Sequence, residues 1–180
     1  MRPVSLAARL AALGLLAACA APAPPSAGYR DPAKGIYSNA VFQPERLAGR
    51  WVQVAEFAPG SAPACAASGM GITPQSPTRL ALQADLCLGG KPVRYNGEAE
   101  VTGPGRVTLL GADPEGLGAE WWVLWVDDGY RTLVVGTPSG QFGMILNRDA
   151  ALPPDRLAAA REILDWNGYD LSRLRPVAAR

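Results

Sequence analysis

The side chains able to do chemistry are few and poorly placed for catalysis. The chain has no histidine, so the commonest general base and the commonest metal ligand are both missing. Glu56, Glu98 and Glu100 fall on strand positions expected to face solvent, and Asp127 and Asp128 fall at a turn. No serine sits in a nucleophile-elbow setting. What remains is sulfur, at Cys19, Cys65 and Cys87. The expectation is a protein that is not an enzyme and needs no metal and no cofactor. Net charge is +1 with no basic cluster, so nothing points to nucleic acid.

Cys19 stands apart from the other two. Residues 1–18 read as a secretory signal, with Arg2 near the start and an apolar run from Leu6 to Ala18 that is too short for a comfortable membrane span. The run ends Leu16-Ala17-Ala18-Cys19, which resembles the bacterial lipobox, in which the cysteine receives diacylglycerol and becomes the new N-terminus. The alternative is an ordinary signal peptide with an incidental cysteine. More than one acyl chain on Cys19 would hold the protein stably at a membrane. Ala20 is not the Asp that such lipoproteins use for inner-membrane retention, so the expected location is the outer membrane, on its periplasmic face. Residues 19–40 then form a Pro-rich linker without periodicity, and residues 41–180 one domain.

With Cys19 taken by lipid, Cys65 and Cys87 are most simply a disulfide in an oxidising envelope. A metal site from two cysteines and no histidine is the less economical reading. Pairing Cys65 with Cys87 gives a register in which Ile72 faces Leu80 and Met70 faces Leu82, both apolar, with the cysteines on the outer face.

The elements that must position these residues are strands. The stretch from Glu120 to Arg148 reads as a three-strand meander rich in Val, Trp, Tyr and Thr. Asp128-Gly129 suits a two-residue hairpin loop. Pro138 to Gly140 suits a three-residue loop. Those loops set Trp125 opposite Thr132, Val123 opposite Val134, and Val134 opposite Met144. One face then holds Trp121, Val123, Trp125, Val134, Phe142 and Met144, and the other face is apolar too. A sheet apolar on both sides needs two covers. Across the whole chain the alternation predicts eight strands, at 50–58, 65–73, 79–88, 92–102, 106–111, 120–127, 130–136 and 141–148. Eight is the number at which an antiparallel up-and-down β-barrel closes around a small ligand. After it, Pro153 to Trp166 reads as one helix, stopped at Gly168. Its stripe of Leu157, Ala160, Ile163 and Leu164 is expected to cover Leu133, Val135 and Ile145 on the outside of the barrel.

Three segments carry a family resemblance. Gly49-x-Trp51 opens a strand, Val126-Asp127-Asp128-Gly129-Tyr130 follows a Trp-rich strand, and Arg148 closes a later one. Together they resemble the signature regions of the lipocalins, and the sequence looks most like the bacterial outer-membrane lipoprotein members. The second segment departs from the pattern, because two residues separate Asp127 from Tyr130, and the middle strands match poorly. The resemblance implies that Trp51 and Arg148 plug the closed end of the barrel. The residue chemistry agrees, since a guanidinium stacked on indole excludes water through apolar area and cation–π attraction.

The resemblance also implies a small hydrophobic ligand, of the fatty acid or lysophospholipid class. The inward positions Phe57, Met70, Ile72, Leu80, Leu82, Tyr95, Trp121, Val123, Trp125, Val134, Phe142 and Met144 are the expected lining. Tyr95, Lys91 or Arg94 would meet a head group. The other reading of the same residues is that three tryptophans, phenylalanine and methionine fill the barrel and leave an envelope module without a ligand.

Overall fold

The computed structural model describes residues 28–111 and 117–180, so residues 1–18, Cys19 and the first part of the linker lie outside the described residues. The order is a 3-10 turn (Pro44–Leu47), β1 (Gly49–Phe57), β2 (Ala66–Ala67), β3 (Gly69–Ser76), β4 (Arg79–Leu88), β5 (Lys91–Gly103), β6 (Arg106–Leu110), β7 (Trp121–Val126), β8 (Thr132–Gly136) and β9 (Gly143–Asn147). Then come α1 (Pro154–Trp166), a second 3-10 turn (Leu171–Arg173), β10 (Leu174–Pro176) and β11 (Ala178–Ala179). Strands β1 and β3 to β9 pair antiparallel in sequence, and β9 returns to β1. The eight expected strands therefore close a barrel, with α1 packed outside.

The cysteines form the expected disulfide, Cys65–Cys87. The register around it differs from the expected one. Ile72 pairs with Leu82 and Met70 with Ala84, a shift of two residues that keeps every side chain on its face. Cys65 lies before β2, not on the β3–β4 ladder.

Two β-bulges account for most of the other differences. A bulge adds one residue to one strand and reverses the alternation beyond it. The first lies between Gln53 and Ala55 on β1. Trp51 stays inside, but Phe57 turns outward against Tyr169, with ring centroids 4.8 Å apart. Glu56, expected to face solvent, is instead buried. The second bulge lies between Val123 and Trp125 on β7 and leaves Trp125 outside, beside Leu124.

The tight loop at Asp128-Gly129 does not form. The Oδ1 of Asp127 accepts the backbone N–H groups of Arg131 and Thr132, and Tyr130 takes φ +52°. That longer loop and the bulge pair Trp125 with Val134 and Val126 with Leu133. The loop after β8 is also longer than three residues, so Val134 pairs with Ile145 and not with Met144. Val134 therefore faces out, and Leu133 and Val135 face in. On the outside, Ala160 and Leu164 of α1 close over Leu124, Val134 and Ile145. Of the three residues expected beneath the helix, only Ile145 is there.

Residues 28–40, expected as part of the linker, lie against the barrel. The N–H of Tyr29 donates to Gly140 O at 2.6 Å. The buried Arg30 donates to the carbonyls of Pro138 (2.7 Å), Asn167 (3.1 Å) and Lys34 (2.5 Å).

Candidate functional site

The barrel interior is a single apolar cluster. Of the twelve expected lining residues, Met70, Ile72, Leu80, Leu82, Tyr95, Trp121, Val123, Phe142 and Met144 belong to it. Phe57, Trp125 and Val134 do not, because they face the helix side. Three residues that the sequence did not place inside, Leu133, Val135 and Leu117, take their place.

Trp51 and Arg148 meet where β1 starts and β9 ends. The guanidinium of Arg148 sits 3.8 Å from the Trp51 ring centroid. Its three nitrogens donate to carbonyls of three segments: Nε to Tyr130 (3.1 Å), Nη1 to Arg50 (3.0 Å) and Nη2 to Arg46 (3.0 Å). Burial lowers its pKa from the ordinary arginine value. The Trp51 indole N–H donates to Leu47 O at 2.8 Å, tying the 3-10 turn across the floor. Gly49 explains the first motif: its φ is +100°, and a Cβ there would meet Arg148 Nη1 at 3.3 Å. Tyr130 completes the floor, with the Arg46 guanidinium 4.0 Å over its ring and its hydroxyl accepting the Gln43 N–H at 2.8 Å.

Farther along the barrel the interior is filled from within. Leu117 is fully buried, and its carbonyl accepts the Trp121 indole N–H at 2.9 Å. Trp121 meets Phe142 edge-on, with centroids 5.7 Å apart. Between β6 and β7 only two residue pairs form, Arg106 with Trp122 and Val107 with Trp121, against ten between β4 and β5. The space left inside is an apolar cavity of about 20 Å³, lined by residues such as Leu47, Ile72, Leu82 and Val135. That volume holds roughly one water-sized particle. Pockets that bury drug-sized ligands run from about 300 Å³ upward.

Of the expected head-group residues one is engaged inside and two are exposed. The Tyr95 hydroxyl bonds the carbonyls of Glu98 (2.7 Å) and Leu110 (2.9 Å). Arg94 is exposed and lies 3.6 Å from Asp85. Lys91 is exposed at the start of β5.

Sequence reasoning missed several buried polar groups. The Gln53 amide joins both backbone groups of Cys87, donating to its carbonyl (2.8 Å) and accepting its N–H (2.7 Å). It fills the place beyond the first residue of β3, where β1 meets β4. Glu56 accepts the Gly90 N–H at 3.0 Å, and its ligating oxygen lies within 4.8 Å of both disulfide sulfurs. Burial raises its pKa from the ordinary glutamate value, opposed by the Gly90 bond and by Arg175. The cysteines are bonded to one another, so neither offers a thiolate, and the metal ligand set is incomplete. Tyr169 packs where Gly136 and Gly143 lack a Cβ, which would meet its ring or hydroxyl within 3.0 Å. Those two glycines, paired across β8 and β9, were the readable sign of a close approach.

The residues from 42 to 179 match the family model of the lipocalin-like domain. No curated protein matches the sequence significantly. Among solved structures the chain is similar to lobster apocrustacyanin A1, with 14% identity, 74% of this chain and 77% of that chain covered, and a TM-score of 0.55. Apocrustacyanin C2 aligns at 11% identity over 88% of this chain and 94% of that one, TM-score 0.59. H1 crustacyanin from the lobster Homarus americanus aligns at 13% identity over 82% and 90%, TM-score 0.53. At such identities the likeness is one of fold. Lipocalins are generally non-enzymatic carriers, and their fold suits small hydrophobic ligands. By the extent of the match and the closed eight-stranded barrel, this chain belongs to the lipocalin family.

Proposed function

We propose that the protein is a lipid-anchored lipocalin of the bacterial outer-membrane type that holds a small hydrophobic molecule of the fatty acid or lysophospholipid class. The carrying observation is the closed barrel with a largely apolar inner wall, capped at one end by Trp51 and Arg148. The Cys19 segment supports the tether, which would keep the ligand at the envelope.

An interior ligand has to displace side chains, because the resting cavity is about 20 Å³. Leu117, Trp121 and Phe142 occupy the space it would need. Met70 lines the cavity and Met144 belongs to the same interior cluster; both are unbranched, so they can repack around a guest. The same small volume favours a second reading, an envelope module whose barrel is filled and which carries nothing.

Displacement of a fluorescent fatty acid separates the two. The carrier reading expects saturable displacement with one equivalent of sites and a change in tryptophan emission. A flat titration with every amphiphile tried leaves only the filled module.

A further inference from the structure

Recesses larger than the interior cavity lie outside the barrel, and one of them is floored by aliphatic side chains. Between α1 and the β1–β10 edge runs a groove of about 320 Å³. Its floor exists because of the β1 bulge, which turns the consecutive residues Val54 and Ala55 outward together. Leu152 and Leu157 form one wall, and Leu174 forms the other. Leu157 is 36% exposed, the least covered member of the helix stripe. Beyond the bulge the Val177 N–H donates to Val54 O at 3.1 Å, which fixes the chain along the groove edge.

Two guanidiniums border this apolar floor. Arg161 lies one helical turn after Leu157, so both side chains share a face. Arg175 is held at the other side by the carbonyls of Pro59 (3.1 Å), Gly60 (2.8 Å) and Ala62 (2.7 Å). Among the described residues neither arginine forms an ion pair with a carboxylate. Arg175 acts on the buried Glu56, while on the outer side of α1 Arg161 and Leu157 also border a recess with Glu162 and Asp165; among the described residues none of these acids lines the groove itself. A trough with aliphatic side chains on its floor and walls and a guanidinium at its border complements a slender tail with an anionic head.

We infer that this outer groove binds a single-chain carboxylate amphiphile, with the tail on Val54, Ala55, Leu157 and Leu174 and the carboxylate at Arg161. The inference rests on the reading that the protein holds a hydrophobic ligand, and it moves the resting site from the barrel to the helix side. The head-group attraction makes binding to the groove salt-sensitive.

Calorimetric titration of the purified chain with dodecanoate and with neutral dodecanol tests it. Arg161→Glu and Leu157→Asp change exposed positions and should leave the melting temperature close to that of the parent chain. Arg161→Glu should weaken dodecanoate by about tenfold or more, the size of one charge-assisted contact, and leave dodecanol nearly unchanged. Leu157→Asp should weaken both. Leu117→Ala, which opens space inside the barrel, is the control for an interior site, where it would strengthen binding of both amphiphiles. If dodecanoate binds the parent chain and the groove variants equally, and Leu117→Ala alone alters binding, the groove assignment is overturned while the carrier reading stands. If the parent chain binds neither amphiphile, both fall.

Discussion

Arg148 and Trp51 are partners across the floor of the barrel, ring centroid to guanidinium carbon 3.8 Å apart, although 97 positions separate them in the chain. Trp51 opens the first barrel strand and Arg148 follows the last. The stack therefore joins the two ends of the sheet at the β1–β9 seam, where the barrel closes on itself.

Replacing Arg148 by Ala removes the stack and leaves three carbonyls, those of Arg46, Arg50 and Tyr130, without their donor. The expected loss is about 2–4 kcal/mol. Lys in its place should recover less than half, because an ammonium cannot lie flat on indole and reach three segments. Urea denaturation of the three proteins measures this.

Leu117 fills the interior space nearest Trp121 and Phe142. Leu117→Ala should cost about 2–4 kcal/mol as a cavity-forming change. It should also open room beside Trp121, which lines the existing cavity of about 20 Å³. A crystal of the variant under xenon should show density there that the parent lacks.

The Cys65–Cys87 bridge closes a loop with a sequence separation of 22. On the chain-entropy model that contributes about 3 kcal/mol. Cys65→Ser should lower the melting temperature as much as reductant lowers that of the parent chain. Equal melting of the parent with and without reductant would count against the bridge.

Much of this was readable in the chain, and what was not has a physical cause. The eight strands, the helix, the disulfide and the Trp51–Arg148 pair follow from alternation, turn residues and motif chemistry. Phe57 and Trp125 were misplaced because a bulge adds a residue without any composition signal, and period-two counting cannot detect it. Val134 was misplaced because Asp127 caps its own loop with a carboxylate, so Asp128-Gly129 never makes the two-residue turn that its dipeptide favours. Arg30 went unnoticed because its partners are backbone carbonyls from distant segments, which leave no pattern in sequence.

Tyr169 gives a pH signature. Burial pushes its pKa up to about 12, with the Thr137 bonds and Arg30 pulling the other way. An unfolded tyrosine titrates near 10. The folded state therefore favours the neutral phenol. Its stabilising contribution is complete below pH of about 10 and is lost as pH rises toward 12. Tyr169→Phe should be less stable than the parent at pH 8, because the Thr137 N–H loses its acceptor. It should also show a shallower decline in stability above pH 10. Parallel declines in the two proteins would assign the alkaline loss to other groups.

Mass spectrometry of a lipid extract from the full chain, purified from its own envelope without detergent exchange, bears most directly on the function. A single-chain amphiphile recovered at close to one equivalent per protein, and rebinding after delipidation, is the predicted result. A protein that leaves the envelope empty and stays empty when offered amphiphiles would contradict it, and would leave a barrel closed around its own side chains.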